Sequence, residues 1–227
     1  MKIIAVRIGD KYGPEYEEYL ESKLPEYEFI WVREPIREDV TLQWNKMYGM
    51  SLDIDEPVCV MDIDIILTND YKKVFEYPIE PGEFACMPGW WRDDSYPMNG
   101  GFFKYYPKDC RYIYDEFMSN TDYWQQYYIK NGITKGPVNG EQYFVWDQAK
   151  KKLNMKVLPS AWFTRWKTTY EDSDNQYKNW QWEMTKKYKE ETGNDYIWMG
   201  EFHEDIKFVH FTNAQNKPRE WKYYGVS

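Results

Sequence analysis

Apolar and polar positions alternate along the first part of the chain in a way that predicts strands separated by helices. Residues 2–8, 27–32 and 57–62 are short, mainly apolar runs, which are typical of buried strands. Residues 14–24 and about 41–52 predict helices, and Pro14 suits a first helical turn. This order predicts a mostly parallel sheet with helices on its faces.

The second half of the chain is less regular but continues without a break. It predicts strands at residues 84–87 and 101–105 and helices at 108–118, 141–153 and 174–192. No linker, repeat or low-complexity tract divides the chain. We therefore expect one α/β domain over residues 1–227, with a nucleotide-sized first half and a variable second half.

Two carboxylates, Asp62 and Asp64, follow directly after the most strand-like segment. Residues two apart in an extended chain point to the same side, about 6.6 Å apart along the strand. Two negative charges at a partly dry strand end repel each other, and a divalent cation with oxygen ligands is the usual relief. Ligands of α/β sheets bind at the carboxyl ends of the strands, where both residues fall. The pattern therefore predicts a metal site.

The charge balance limits the class of ligand. The chain has 29 Lys and Arg against 38 Asp and Glu, a net charge of −9, which argues against nucleic acid as a partner. No apolar run exceeds four residues, so we expect neither a membrane span nor a signal peptide. Cys59, Cys86 and Cys110 are widely spaced and odd in number, which indicates reduced, intracellular thiols. We expect a cytoplasmic protein, made by a cell, a virus or a bacterium.

Aromatic residues make up 20% of the chain, with 12 Trp and 22 Tyr. Flat aromatic faces stack on sugar rings and bases, so this density suits a carbohydrate or nucleotide site, although most such residues fill cores. Trp90, Trp91, Trp162 and Trp166 are candidates for a sugar-binding surface, with core packing as the equal alternative.

Five short blocks follow one another in an order that a known family shares. They comprise a loop tyrosine, an Asp-x-Asp motif, an Asn-Gly-Gly-Phe segment, an acidic-Gln pair and a late histidine followed by Lys-Pro: Tyr12, Asp62 with Asp64, Asn99 to Phe102, Glu141 with Gln142, and His210 with Lys217 and Pro218. In these blocks the chain resembles the GT-A glycosyltransferases, especially the glycogenin and galactosyltransferase-like family 8. The resemblance covers nearly the whole chain and implies a single GT-A, Rossmann-like domain.

The resemblance implies a metal-dependent enzyme that moves a hexosyl group from a UDP-sugar to a hydroxyl group of a glycan or another acceptor. Asp62, Asp64 and His210 would hold Mn²⁺ or Mg²⁺, because carboxylates suit hard cations and imidazole suits Mn²⁺. Residues 1–106 would form the half that binds the nucleotide sugar and the metal, and residues 107–227 the acceptor side with the last metal ligand.

The resemblance also assigns residues to the donor. Tyr12 would stack on uracil, and Lys46, which lies sixteen residues before Asp62, would approach the donor phosphate. The full set for the nucleotide sugar is Val6, Asp10, Tyr12, Lys46, Asp62, Ile63, Asn99, Gly100 and Lys217. Without the family context, Tyr12 is an ordinary turn residue, Lys46 an exposed lysine on a helix and His210 a core histidine.

Residues for the transfer step follow from the same resemblance. Asn99 would bind hydroxyl groups of the donor sugar, and Glu141 and Gln142 would lie nearest the reacting face of an enzyme that retains the anomeric configuration. A carboxylate such as Asp93 or Asp94 is the alternative, as the base of an inverting reaction. Two other functions stay open: a haloacid-dehalogenase-like phosphatase and a non-catalytic carbohydrate-binding module.

Overall fold

The computed structural model describes residues 1–89, 96–136, 139–165, 190, 193 and 205–210. The strands in these ranges are β1 Lys2–Val6, β2 Glu28–Val32, β3 Val58–Met61, β4 Ile65–Leu67, β5 Glu83–Pro88, β6 Met98–Tyr105, β7 Asn154–Val157, β8 Phe163–Arg165 and β9 Phe208–His210. The α-helices are α1 Glu15–Lys23, α2 Lys72–Glu76, α3 Pro107–Ser119, α4 Thr121–Lys130 and α5 Gly140–Ala149, and 3₁₀ helices span Leu42–Ser51 and Ser160–Trp162.

A six-stranded mixed sheet with the order β2-β1-β3-β6-β5-β7 organises the fold. β1 pairs in parallel with both β2 and β3, as the alternating pattern of the first half predicts. Ile3, Ile4, Val58 and Val60 are fully buried, because β1 and β3 are covered on both faces, and strands of this kind are apolar throughout. The carboxyl ends of these strands therefore meet at one edge of the sheet.

β6 departs from the parallel arrangement, since it runs antiparallel to both β3 and β5. The connection between β5 and β6 spans only residues 89–97, which is too short for the helical crossover that parallel strands need. β7 then returns in parallel to β5. The sheet is mostly parallel, and β6 brings the start of its own strand next to the carboxyl end of β3.

Several elements have too little sequence pattern to be predicted. The segment expected as a helix at about residues 41–52 is a 3₁₀ helix, and the helix expected at 141–153 ends at Ala149. The helices α2 and α4 and the short strands β7, β8 and β9 were not expected. The predicted helix at residues 174–192 lies almost entirely outside the described residues.

A second sheet, with the order β4-β9-β8, brings a distant part of the chain to the edge of the first. β4 runs antiparallel to β9, and this register places Ile65 opposite His210. Because Ile65 follows Asp64 directly, the pairing brings His210 close to the Asp-x-Asp motif. The second sheet is thus the element that completes the candidate site.

The larger sheet buries a hydrophobic cluster on each face. One cluster includes Leu20, Phe75 and Phe208 together with Ile3 of β1. The other includes Trp44, Phe117 and Phe144 together with Ile4, whose side chain points to the opposite side of β1. These features make the chain a single α/β domain. None of the helices in the described ranges is long and apolar enough to cross a lipid bilayer.

Candidate active site

Asp62 and Asp64 lie in the short connection between β3 and β4, not within one continuous strand. The Asp62 backbone N–H donates to the Gly101 carbonyl at 2.8 Å, which extends the ladder between β3 and β6 by one residue. The chain then bends and resumes as β4 at Ile65. This bend lets both carboxylates approach one point at the edge of the sheet.

His210 completes a cluster with the two carboxylates, as the resemblance implies. Its Nε2 lies 3.2 Å from Asp64 Oδ1 and 3.4 Å from Asp62 Oδ2. One potential ligand atom from each of the three residues lies within 4.8 Å of the other two. The histidine is buried, and its Nε2 faces both carboxylates.

The three residues fit a hard divalent cation. Neighbouring ligand atoms around an octahedral ion with bonds of about 2.1 Å lie about 3 Å apart, close to the two His210 distances. Two carboxylate oxygens and one imidazole nitrogen are also a donor set that Mn²⁺ accepts. Among the described residues, no group bonds to His210 Nδ1, so Nε2 is the nitrogen that this cluster uses. The observed arrangement is thus compatible with the expected metal site.

The electrostatics of the cluster call for a positive charge between the carboxylates. Burial alone would lower the pKa of His210, but the nearby Asp64 and Asp62 outweigh it and raise this pKa to about 9. Burial alone would raise the pKa of Asp62, but Lys46 and His210 outweigh it and hold this pKa well below its usual range. An imidazolium or a divalent cation can supply the charge that the two carboxylates require.

Lys46 is a buried lysine at the centre of this network, unlike the exposed helix lysine that it would be without the family context. Its ammonium group lies 2.6 Å from Asp62 Oδ1 and 3.6 Å from Glu141 Oε1, and it donates to the Gly100 carbonyl at 2.7 Å. Burial lowers the pKa of Lys46, but the carboxylates of Asp62 and Glu141 outweigh this effect and raise it above its ordinary value. One cation thus joins the end of β3, β6 and the start of α5.

Tyr12 contacts the cluster through its hydroxyl group. The hydroxyl donates to Asp64 Oδ2 at 2.8 Å, and the ring packs edge-on against Tyr16 at 4.9 Å. Burial, followed by the charge of Asp64, raises the pKa of Tyr12 well above its usual range. Each carboxylate of the cluster therefore has one oxygen held by a protein donor and one that faces His210. Stacking of Tyr12 on a base stays a prediction.

The Asn99 and Gln142 side chains shape the start of β6. The Gly101 N–H donates to Asn99 Oδ1 at 2.6 Å, and the Gly100 N–H donates to Gln142 Oε1 at 2.9 Å. A Cβ atom at Gly100 would lie 3.0 Å from the Gln142 Cβ and from Glu141 Oε1. The absence of a side chain at Gly100 is therefore what lets β6 and α5 approach this closely.

Some of the other predicted residues lie in the described part of the chain, and some lie outside it. Val6 lies at the end of β1, Ile63 is buried between the two aspartates, and Asp10 is exposed in the following loop. Asp94, Lys217 and the tryptophans at 90, 91 and 166 lie outside the described residues. Trp162 packs edge-on against Tyr77 at 6.2 Å.

A group that supports the Tyr12 loop was missed in the sequence. Arg7 and Arg33, which follow β1 and β2, both form ion pairs with Glu17 of α1, and Arg7 Nη1 also lies 3.5 Å from the Tyr12 carbonyl. The sequence did contain a signal for this group. A basic residue follows each of two parallel strands, and the first turn of the helix between them has an acidic residue.

No family model matches the chain, and no curated protein matches its sequence. Solved structures of similar fold include several glycosyltransferases. GlyE from Streptococcus pneumoniae TIGR4 aligns over 100% of this chain with a TM-score of 0.59 and 11% identity, and the chain spans 61% of GlyE. A glycosyltransferase involved in glycosylation of the major capsid of PBCV-1 aligns over 100% of both chains, with a TM-score of 0.53 and 16% identity.

The galactosyltransferase LgtC, solved in complex with donor and acceptor sugar analogues, aligns over 98% of this chain and 99% of its own length, with a TM-score of 0.50 and 11% identity. At such low identity the likeness concerns the fold. The mixed sheet, its flanking helices and these alignments show that the chain has the GT-A fold which the resemblance implied.

Proposed function

We propose that the protein is a divalent-metal-dependent glycosyltransferase that moves a hexosyl group from a UDP-sugar to a hydroxyl group of an acceptor. The observation that carries the proposal is the convergence of Asp62, Asp64 and His210 at the carboxyl edge of the sheet. The GT-A fold and the ordered family 8-like blocks support it. Three buried free thiols are compatible with the cytoplasm as its location.

The chain's own residues would prepare the site for a nucleoside diphosphate. Asp62 and Asp64 would hold Mn²⁺ or Mg²⁺ with the oxygens that face His210, while Lys46 and Tyr12 keep the other two oxygens in place. When bound, the cation supplies Lewis-acid stabilisation of the charge that develops on the departing diphosphate. Lys217, outside the described residues, is proposed to contact the same diphosphate.

The donor sugar would lie between β6 and the start of α5. Asn99 and Gly100 are proposed to contact its hydroxyl groups, and Glu141 and Gln142 to lie at the reacting face. The Gln142 carbonyl oxygen is held by the Gly100 N–H, which fixes the side chain at this point. We propose a retaining reaction by analogy with family 8, and the anomeric proton coupling of the product distinguishes it from inversion by Asp94.

Two contacts favour transfer over the alternative functions. A haloacid-dehalogenase-like phosphatase needs an aspartate whose oxygen is free to attack phosphorus, yet both oxygens of Asp62 lie next to Lys46 or His210. A non-catalytic carbohydrate-binding module has no use for a buried lysine between two carboxylates. Neither alternative therefore accounts for the cluster as well as a transferase does.

The decisive experiment is UDP binding by calorimetry in Mn²⁺ and in chelator. Two carboxylates facing a diphosphate with no cation between them would repel it, so we expect UDP to bind only weakly in chelator. Asp64→Asn should remove the Mn²⁺ effect, whereas Asp115→Asn, on the exposed side of α3, should keep it. Equal UDP affinity in both buffers would refute the metal role of Asp62 and Asp64.

His210→Ala separates a ligand from a structural residue. A ligand at this position predicts lost UDP-sugar hydrolysis with a cooperative melting transition. A core histidine predicts a much lower melting temperature with metal-dependent hydrolysis kept in the folded fraction. Melting curves and hydrolysis should be measured on the same samples.

A further inference from the structure

A series of contacting aromatic rings leads from the exposed side of α4 to the start of α5. We call it the aromatic track, and its members are Tyr123, Trp124, Tyr127, Tyr128, Tyr143 and Tyr96. Ring centroids along the series are 4.9, 5.5, 5.0, 5.8 and 4.6 Å apart. The inner end lies at the first turn of α5, where Tyr143 directly follows Gln142 in the chain, and Tyr96 precedes Asn99 by three residues.

Most rings of the aromatic track keep part of their surface in contact with water, although Trp124, Tyr127 and Tyr143 also pack against the hydrophobic cluster that contains Trp44 and Phe144. Tyr123 is 49% exposed, and Trp124, Tyr127, Tyr143 and Tyr96 are half-buried. Only Tyr128 is fully buried, and it connects the outer and inner ends. Leaving large aromatic surfaces in contact with water forgoes the free energy of burial, so a cluster of them at the surface indicates a ligand.

Polar contacts fix the inner rings. Asp147 Oδ2 accepts hydrogen bonds from Tyr128 at 2.9 Å and Tyr96 at 3.3 Å, and Lys150 lies 2.8 Å from Asp147 Oδ1. Tyr143 and Asp147 are four residues apart and therefore share one side of α5. Rings that are already fixed lose little entropy when a ligand binds, and charged groups beside them can meet hydroxyl groups.

We propose that the aromatic track binds the acceptor of the reaction and that this acceptor is a glycan of several sugar units. The inference rests on the proposed function, since the inner end would bring the acceptor to the turn of α5 that holds Glu141 and Gln142. A glycan suits the surface because sugar rings have apolar faces and polar edges. The exposed Asp122 and Gln126 on α4 place the rings in a polar setting, unlike the apolar centre of a protein interface.

Saturation-transfer NMR with maltohexaose, cellohexaose, laminarihexaose and chitohexaose, and with the corresponding disaccharides, tests the proposal. We expect at least one series to bind. Tyr123→Ala and Tyr127→Ala should weaken the hexasaccharide of that series about fivefold to tenfold, which is the loss of one stacking contact, and affect the disaccharide less. Ala is a good helix former, so Tyr123→Ala on the exposed side of α4 should fold.

Trp31→Ala is the matched control, because Trp31 is a half-buried ring stacked on Phe29 at 5.0 Å that packs against the cluster on the opposite face of the sheet. It should leave glycan binding unchanged. Glycan binding that survives Tyr123→Ala and Tyr127→Ala, or no binding by any of the eight probes, would overturn the proposal. A third outcome would also overturn it. If the protein binds no glycan but sediments as a dimer, and Tyr123→Ala dissociates this dimer, the aromatic track is a contact between copies of the chain.

The proposed function is judged separately by hydrolysis of UDP-sugars in Mn²⁺ without an acceptor. Glycan binding along the aromatic track with no turnover of any UDP-sugar would refute the transferase and leave the glycan surface standing. Turnover of a UDP-sugar without glycan binding would refute the glycan surface and leave the transferase standing.

Discussion

Lys46 shows how one residue can be ordinary in the sequence and central in the fold. A lysine on a predicted helix gives no signal of burial, yet this one is 2% exposed. Its position depends on three partners from three other elements, namely Asp62, Gly100 and Glu141. Its expected approach to the donor phosphate stays a prediction, while the contacts observed make it a positioning residue for two carboxylates.

Lys46→Met should lower the free energy of unfolding by about 3 kcal/mol, because it leaves buried carboxylates without their cation. It should also abolish UDP-sugar hydrolysis in the folded fraction. Lys104→Met is the control, because Lys104 is also buried but donates to the Phe75 and Tyr77 carbonyls. Urea unfolding and hydrolysis on both variants give the comparison. Full hydrolysis by Lys46→Met would show that the network is dispensable.

Tyr12 combines an observed contact with a predicted one, and two substitutions separate them. Tyr12→Phe removes only the hydroxyl that holds Asp64, so Mn²⁺ should bind about tenfold more weakly, as for other partners of metal ligands. Tyr12→Ala also removes the ring, and a stacked base would lose a further 1–3 kcal/mol or so of UDP affinity. Titrations of both variants with Mn²⁺ and with UDP measure the two effects separately. If both variants bind UDP alike, the ring does not stack on the base.

At the scale of elements, the close approach of β6 to the cluster of Asp62, Asp64 and His210 depends on Gly101. A Cβ atom there would lie 2.9 Å from Asn99 Oδ1 and 3.3 Å from His210 Cε1. We expect Gly101→Ala to cost about 1–3 kcal/mol of stability and to weaken Mn²⁺ binding, because the neighbours must move. Gly136→Ala is the control, since nothing lies within 4 Å of its Cβ position. Chemical unfolding with and without Mn²⁺ provides both values.

The ion pairs of Glu17 join the ends of β1 and β2 to α1 and should make stability depend on pH. Burial would raise the pKa of Glu17, but hydrogen bonds from Arg33 and Arg7 outweigh it and lower this pKa. Because the pKa of Glu17 is lower in the folded state, its ion pairs stabilise the fold at pH values above about 4.3, the pKa of Glu in the unfolded chain. This contribution is lost as the pH falls through the folded-state pKa.

Glu17→Gln should therefore cost about 1 kcal/mol at pH 7, a small value because Arg33 is half-exposed. The difference from the parent should shrink as the pH falls below about 4. Glu18→Gln, at an exposed position of the same helix, should change little. Urea unfolding between pH 3 and pH 7 measures both, and a difference that does not depend on pH would contradict the ion-pair explanation.

At the scale of the whole molecule, the two predicted halves depend on each other. β5 of the first half pairs with β7 of the second, and Trp44 stacks on Phe117 at 4.9 Å. We expect one cooperative transition in guanidinium, with the same midpoint by near- and far-ultraviolet circular dichroism. The isolated residues 1–106 should not fold cooperatively, because they lack β7, α3 and α5. Two separate transitions would indicate two independent domains.

The sequence by itself determined the features that depend on local pattern. Apolar runs marked β1, β2 and β3, and helical patterns marked α1 and α3, because long periodic segments have few alternatives. The Asp-x-Asp motif was also visible in the sequence, because two negative charges directly follow an apolar run. The family blocks added Asn99, Glu141, Gln142 and His210 as candidate residues.

Only the tertiary structure decided which of these residues meet. His210 is 146 residues from Asp64, and the strands that join them, β4 and β9, have three residues each. Segments this short have no usable periodicity, so their pairing depends on the packing of the whole domain. The burial of Lys46 was likewise beyond local pattern, because it requires β3, β6 and α5 to converge on one ammonium group.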